Sequence, residues 1–250
     1  MENNQDSRYY TKNFFLTAGR CNAEGVLPLQ SLVQCLIDIA TEHANSINIG
    51  YDRLIRHNCT WVLSRIAIEM ESYPGINNGF SITTWIVKSN RLYSDRAFQI
   101  TGSNGNVIGY ALTTWVAIDI SERKGANLDK IFEEGLPDTG VTPPVLPLKR
   151  HSAISDPDCV IPYTFRYTDI DCNRHVNSTR YVELVLNSFD LDFFDAHTFS
   201  RIEIAYHAEA YFGQQVNVIK ESKGTDIRAD ITRDGDILTQ FRFCIRDKKM

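Results

Sequence analysis

Apolar side chains recur at helical spacing in two stretches of this chain, and segments of alternating apolar and polar residues follow each stretch. The first stretch covers residues 28–48, and the second runs from residue 178 to about 189. Pro28 at the start of the first stretch and Gly50 just beyond its end are typical limits of a helix. Each half of the chain therefore predicts one long helix.

Partial alternation of apolar and polar residues predicts strands around each helix. Asn104-Gly105 and Asp234-Gly235 are tight-turn sequences that predict a hairpin between the last two strands of each half. The strands predicted for the first half begin with Phe14-Phe-Leu and continue at residues 61–70, 80–87, 96–102 and 107–118, and those of the second half cover residues 163–167, 200–206, 214–221, 226–232 and 237–246.

One short sequence occurs twice. Ser64-Arg-Ile-Ala-Ile68 returns as Ser200-Arg-Ile-Glu-Ile204, an offset of 136 positions, and the same order of elements surrounds both copies. Two similar units, each with one helix on a mostly antiparallel sheet, predict an α+β fold. The two sheets could join edge to edge and so protect their exposed strands, although periodicity does not choose the strand order.

Prolines are concentrated between the two halves. Six of the eight prolines fall between residues 120 and 163, where no periodicity is sustained, namely Pro137, Pro143, Pro144, Pro147, Pro157 and Pro162. We therefore predict an N-terminal unit of residues 1–122, a proline-rich linker of residues 123–162 and a C-terminal unit of residues 163–250.

A dense set of polar side chains precedes the second predicted helix. Asp169, Asp171, Asn173, His175 and Asn177 fall on alternate positions, and apolar helical spacing begins directly afterwards. Asn177 is a natural N-cap, because its side-chain oxygen can accept from the unpaired amides of the first turn. Free amides and the helix dipole favour negative charge there, which suits a carbonyl oxygen that becomes an oxyanion. A base, an acid and amide donors together suggest a reaction centre.

Composition narrows the class of protein. A net charge of −5 argues against a general nucleic-acid binder, although the basic pairs Arg123-Lys124 and Lys149-Arg150 are possible docking points. The polar N-terminus lacks the apolar core of a signal peptide, and no apolar run reaches membrane-spanning length. Six scattered cysteines contain no CxxC pair. We expect a reducing cytoplasm, no metal and no cofactor.

The polar segment resembles a motif of the acyl-acyl carrier protein thioesterases of the hot-dog superfamily. Their motif, Asp-x-Asn-x-His-x-Asn, is present as Asp171-Cys-Asn173-Arg-His175-Val-Asn177, and the resemblance extends over roughly residues 8–247. First-half features that also match are Trp61, Tyr73-Pro74, Thr84-Trp85, Arg96 with Phe98, and Thr114-Trp115. The resemblance implies a double hot-dog fold and hydrolysis of the thioester between a fatty acyl chain and acyl carrier protein, which would be the partner.

The same resemblance implies a fourth catalytic residue, Glu209, in Tyr206-His-Ala-Glu209. Plant members place a cysteine after this glutamate, and Ala210 stands there, so a cysteine nucleophile at that position is not required. Plant members also carry a transit peptide, and its absence points to a bacterial enzyme. We expect chemistry based on water, in which Asp171 or Glu209 acts as the base or orients it, while His175 holds water or donates and Asn173 orients the carbonyl.

Cys172 lies between these groups, and strand-like alternation would turn it away from them, so we expect it to pack rather than react. Aligning Val26 with Val176 places Ala23 opposite Asn173 and Gly25 opposite His175. One active site per chain follows. The first unit is then free to shape an apolar slot for the acyl chain, with Leu32, Leu36, Trp61 and Ile66 as candidate lining residues.

Several alternatives stay open at the level of sequence. The polar segment is also what a loop with Asx turns looks like, since Asp and Asn often pair with nearby backbone amides. An acyl-CoA thioesterase and a non-catalytic acyl-binding module or sensor share the expected scaffold. Two units in one chain mimic a hot-dog dimer, so both a monomer and a homodimer are compatible with the sequence.

Overall fold

A computed structural model describes residues 6–146, 148–149 and 151–248, so Pro147 and Arg150 lie outside the described residues. Ten strands form one antiparallel sheet in the order β1-β3-β4-β5-β2-β7-β10-β9-β8-β6. The strands are β1 Tyr9–Phe15, β2 Cys59–Met70, β3 Gly79–Ser89, β4 Ser94–Gly102, β5 Val107–Asp119, β6 Cys159–Thr164, β7 His197–Tyr206, β8 Gln215–Lys223, β9 Asp226–Arg233 and β10 Asp236–Asp247.

The two predicted helices are present. The helices are α1 Leu29–Ser46, α2 Tyr51–Ile55, α3 Leu128–Ile131, α4 Ser178–Leu186 and α5 Leu191–Ala196. Helix α1 begins after Pro28 and ends where Asn48 takes a left-handed φ of 57°. Helix α4 is shorter than predicted and ends at Leu186. Within the described residues, no helix is both long and apolar enough to cross a membrane.

The repeated sequence lies where the two units meet. Strands β2 and β7 pair with Ile66 opposite Ile204 and Ile68 opposite Ile202, so the two copies run side by side in opposite directions. Ala67 pairs with Glu203, which is also its counterpart 136 positions later. A pseudo-twofold axis therefore passes through this residue pair. The predicted edge-to-edge joining of the sheets is confirmed, and strand order on one side mirrors that on the other.

One apolar core crosses the boundary between the units. Leu36 of α1, Ile66 of β2, Val185 of α4 and Phe243 of β10 belong to one buried cluster, and each is at most 1% exposed. Each such side chain contributes about 1.5–3 kcal/mol on burial. Trp61, which we grouped with Leu32, Leu36 and Ile66, packs instead in a separate cluster, where its ring stacks on Phe132.

The predicted strand at residues 163–167 is wrong in its position. Strand β6 ends at Thr164, and Tyr167–Asp169 forms a single 3₁₀ turn. The buried Asp169 carboxylate causes the turn, because it accepts from the Arg166 amide at 2.6 Å and from the Tyr163 hydroxyl at 3.0 Å. Strand β6 also begins at Cys159, inside the segment predicted as linker.

The rest of that segment is held against the sheet by acidic side chains. The amide of Lys149 donates to Glu203 at 2.9 Å, and the amide of Ile154 donates to Asp230 at 3.0 Å. Glu203 and Asp230 are 3% and 1% exposed. The segment between the two units covers these carboxylates, and its backbone amides supply their hydrogen bonds. The described residues of this segment are thus placed by specific hydrogen bonds, and Asn127 caps α3 within it.

A histidine–arginine pair is buried beneath α1. Arg96 lies 2.7 Å from Nδ1 of His43 and 3.3 Å from the Thr84 hydroxyl. Burial, together with the neighbouring guanidinium, lowers the pKa of His43 to about 4, and burial lowers the pKa of Arg96 to about 9. His43 is therefore neutral at pH 7 and accepts from Arg96, so it serves as a buried structural residue.

Candidate active site

Asp171 organises the loop that precedes α4. Its Oδ1 accepts from the amides of Asn173 at 2.8 Å and His175 at 3.0 Å, while its own amide donates to the His175 carbonyl at 2.8 Å. Arg174 takes a left-handed φ of 64° to close the turn. The loop is therefore a compact Asx-type turn rather than an extended segment, and the position of His175 depends on the Asp171 carboxylate.

Asn177 caps α4 as predicted. Its Oδ1 accepts from the Thr179 amide at 3.0 Å, and its carbonyl accepts from the Arg180 amide at 2.9 Å. The Asn177 amide itself donates to the Asp169 carbonyl at 2.8 Å. These bonds occupy three amides at the helix start, which narrows the predicted oxyanion donor to the Ser178 amide.

The structure brings His175 and Glu209 together. Nδ1 of His175 lies 3.5 Å from Oε1 of Glu209, and the two side chains are 22% and 29% exposed. Glu209 follows β7, in a segment held to the loop by the bond from the Val176 amide to the Ala210 carbonyl at 2.8 Å. The Tyr211 ring packs edge-on against the imidazole, with centroids 5.2 Å apart. The imidazole of His175 therefore has a carboxylate partner, and both side chains are accessible to water.

The electrostatic setting favours a neutral His175. Partial burial lowers its pKa, the charge of Asp171 opposes that shift, and the charge of Arg123 adds to it. A neutral imidazole can accept a proton at one nitrogen and donate at the other. The pair can therefore activate water or move a proton to a leaving group near neutral pH.

Arg123 was not predicted as part of the site. Its guanidinium donates to Oε2 of Glu209, although it belongs to the turn after β5 of the other unit. The basic pair Arg123-Lys124 was noted only as a possible docking point. A charge pair 86 residues apart leaves no local pattern, so only the docking of the two units reveals it.

Asn173 and Cys172 lie outside this pair. Both side chains are exposed, and Nδ2 of Asn173 is 3.5 Å from Oδ2 of Asp171. The prediction that Cys172 packs is wrong, because the loop turns instead of extending and leaves this side chain in solvent. Ala210, at the position of the plant cysteine, is fully buried and takes part through its carbonyl.

The first unit contains the same loop backbone. Oδ1 of Asn22 accepts from the Val26 amide at 3.0 Å, as Asp171 accepts from His175, and Gly25 has a left-handed φ of 72° where Arg174 has 64°. These counterparts are 149 positions apart. The alignment that placed Ala23 opposite Asn173 and Gly25 opposite His175 is therefore wrong by one residue, since it rested on one matching valine.

In the corrected alignment, the candidate catalytic residues of the second unit correspond to residues of different chemistry in the first unit. Glu24 lies opposite Asn173 and Val26 opposite His175, and Tyr73 corresponds to Glu209 across the β2–β7 pairing. The first-unit position keeps a cavity of about 410 Å³, which is lined by Asn22, Glu24, Val26, Tyr73 and several aromatic rings from the other unit. The first-unit positions of His175 and Glu209 hold Val26 and Tyr73, so they supply no histidine–carboxylate pair.

Among the residues that the structure describes, no group of three or more His, Cys, Asp or Glu side chains is arranged to hold a metal ion.

Two sheets joined edge to edge, each packed on its own helix, define a double hot-dog protein. Family models for the acyl-ACP thioesterase N-terminal and C-terminal domains match residues 7–134 and 155–243. The chain belongs to the acyl-ACP thioesterase family.

Individual relatives agree with that assignment. An acyl-ACP thioesterase from Bacteroides thetaiotaomicron has a TM-score of 0.84 and 30% sequence identity, over 96% of this chain and 98% of that one. The 12:0-ACP thioesterase from Umbellularia californica has the same fold, with a TM-score of 0.85 and 18% identity over 96% and 98% of the two chains.

Curated plant sequences are more distant. The palmitoyl-acyl carrier protein thioesterase of Gossypium hirsutum is 22% identical over 82% of this chain, which spans about half of that relative (53%). Oleoyl-acyl carrier protein thioesterase 1 of Arabidopsis thaliana is 24% identical over 97% of this chain and 73% of its own length.

Proposed function

We propose that this protein hydrolyses the thioester of fatty acyl-acyl carrier protein in the cytoplasm, releasing a free fatty acid and ending chain elongation. The observation that carries the proposal is the His175–Glu209 contact at 3.5 Å beside the start of α4, in a chain of the acyl-ACP thioesterase family. Relatives named for palmitoyl, oleoyl and 12:0 substrates support a carrier-bound acyl chain as the substrate class.

Water is the nucleophile in this proposal. A water molecule held by His175 and Glu209 attacks the carbonyl carbon and gives its proton to the pair, which forms a tetrahedral oxyanion. The amide of Ser178 is the donor suited to that oxyanion, and the positive end of the α4 dipole adds to it. The C–S bond then breaks, which gives the fatty acid and the thiolate of the carrier. The His175–Glu209 pair returns the proton to the sulfur.

Asp171 and Asn173 complete the catalytic set. Asp171 holds the His175 backbone through one oxygen, and its charge opposes the lowering of the pKa of the imidazole. Asn173 is placed by its contact with the other oxygen of Asp171 and orients the substrate carbonyl on entry. Asp171 and Asn173 lie on the solvent side of the His175–Glu209 pair, where an incoming substrate contacts them first.

Thiol release from matched substrates tests the function. We expect the purified protein to release thiol from acyl-acyl carrier protein faster than from acyl-CoA of the same chain length. His175→Gln should abolish release, and His57→Gln, at an exposed histidine of the first unit, should leave it unchanged. Faster release from acyl-CoA would contradict the carrier protein as partner and favour an acyl-CoA thioesterase. Release from neither substrate would favour a non-catalytic acyl-binding module.

A further inference from the structure

The turn after β5 is built as a rigid support. Oδ1 of Asp119 accepts from the amides of Ser121 at 2.9 Å and Glu122 at 2.8 Å, and its carbonyl accepts from the Arg123 amide at 2.9 Å. The Asp119 amide closes the turn on the Lys124 carbonyl at 2.9 Å. Arg123 takes a left-handed φ of 57°, which an arginine adopts at a cost that the surrounding bonds offset.

Asn58 ties this turn to the beginning of β2. Its side-chain nitrogen donates to Oδ1 of Asp119 at 3.2 Å and to the Ser121 hydroxyl at 2.8 Å, and its carbonyl accepts from the Ile120 amide at 2.8 Å. The turn therefore cannot move independently of the strand that forms the boundary with the second unit. Such a support fixes where the Arg123 side chain leaves the backbone.

Arg123 and His175 contact opposite oxygens of one carboxylate. Oε2 of Glu209 accepts from Arg123, while Oε1 is 3.5 Å from Nδ1 of His175. We propose that Arg123 is a positioning residue of the active site, supplied by the unit that lacks the catalytic groups, and that it orients the ionised Glu209 carboxylate toward His175. This inference rests on the function proposed above.

The charges around His175 come from three elements. Asp171 faces it from its own loop, Glu209 and the Tyr211 edge face it from the segment after β7, and Arg123 faces it from the first unit. Arg123 is the cation that contacts the Glu209 carboxylate, while Arg233 of β9 donates to the Glu209 backbone carbonyl at 3.3 Å. Removing Arg123 leaves two carboxylates near the imidazole, which favours imidazolium over the neutral form that the reaction requires.

Three variants separate orientation from simple charge. Arg123→Gln removes the cation, and Arg123→Lys keeps a point charge without the planar fork. Lys124→Gln is the matched control, because it removes one positive charge from the same turn at a side chain that is 78% exposed and 4.0 Å from Glu122. Unfolding midpoints should be equal in all four proteins, since exposed ion pairs contribute little to stability.

For Arg123→Gln we expect kcat on acyl-acyl carrier protein to fall roughly 10- to 100-fold, with KM changed by about twofold or less. The acidic limb of the kcat/KM profile should move to higher pH, because the pKa of His175 rises. Arg123→Lys should keep the acidic limb and recover part of kcat. Lys124→Gln should match the parent in kcat and in the position of the acidic limb.

Histidine NMR titration provides a readout that does not depend on turnover. The His175 resonance should titrate at higher pH in Arg123→Gln than in the parent or in Lys124→Gln. An unchanged kcat and an unchanged His175 titration in Arg123→Gln would overturn the proposal. A raised KM with unchanged kcat would also overturn it, and would assign Arg123 to substrate binding. If the parent hydrolyses neither thioester, the proposed function fails, and the titration still decides whether Arg123 acts on this pair.

Discussion

Replacement of Asp171 by asparagine should separate the two tasks of this carboxylate. Oδ1 accepts from the amides of Asn173 and His175 at 2.8 and 3.0 Å, and an asparagine oxygen can accept the same bonds. The first unit already demonstrates this, because Asn22 holds the Val26 amide at 3.0 Å in the equivalent turn. Asp171→Asn should therefore keep the loop and remove only the charge.

The magnitudes follow from these contacts. Exchanging two charge-assisted bonds for neutral ones should cost about 1 kcal/mol of unfolding free energy, whereas Asp171→Ala removes both acceptors and should cost about 2–3 kcal/mol. Turnover in Asp171→Asn should fall by roughly 10²- to 10⁴-fold, the range of general acid–base contributions. Because Asp171 raises the pKa of His175, the acidic limb of the pH profile should also move to lower pH.

The assay combines kcat on acyl-acyl carrier protein with urea unfolding of the parent, Asp171→Asn and Asp171→Ala. A large loss of activity in Asp171→Asn, with a loss of unfolding free energy of only about 1 kcal/mol, supports a role for the charge itself. Activity at the parent rate in that variant would refute the reasoning, and would leave Asp171 as a loop residue and the chemistry to His175 and Glu209.

Three further outcomes are expected. Lowering the pH from 6.5 toward 4 should reduce the unfolding free energy by up to about 3 kcal/mol, because the unfolded chain takes up a proton that His43, with its pKa lowered to about 4, does not. His43→Gln keeps an acceptor for Arg96 and should remove that part of the pH dependence in urea unfolding; an identical slope would contradict it. Cys172→Ala should retain the parent kcat, and a large loss would restore a nucleophilic role. Leu36→Phe should shift acyl preference toward shorter chains in a chain-length series, at about 1–3 kcal/mol of stability, and an unchanged preference would exclude Leu36 from the slot.

The parts of the fold that local chemistry controls could be predicted from the sequence. Asn177 caps α4 because its side chain reaches an amide two residues away, and Pro28 marks the start of α1. The end of α1 is marked by the left-handed Asn48, whereas the predicted Gly50 caps α2. The two similar units also predicted that their sheets could join edge to edge, but not that the repeated strands β2 and β7 are the ones that pair. The β2–β7 register places the symmetry axis within that repeat.

Features that depend on a single hydrogen bond or on docking were missed. The sequence left a loop with Asx turns open for residues 169–177, but the strand-like alternation assumed for Cys172 was wrong, because Asp171 accepts from two amides and Arg174 takes a left-handed φ that arginine seldom signals. The contact of Arg123 with the site could not be predicted for a different reason. Its partner Glu209 is 86 residues away, so the contact exists only once β2 and β7 have paired.

Residues 73 and 209 occupy equivalent positions in the two units, and their side chains have different roles. Both side chains reach across the boundary between the units, the Tyr73 hydroxyl to the Phe199 carbonyl at 3.1 Å and Glu209 to Arg123. Burial raises the pKa of Tyr73, so its hydroxyl stays protonated and serves as a fixed donor at the interface. Glu209 stays 29% exposed, with one oxygen directed at His175 and within reach of water. Because the loop backbones match, the difference between a structural bond and a reactive pair resides in these side chains.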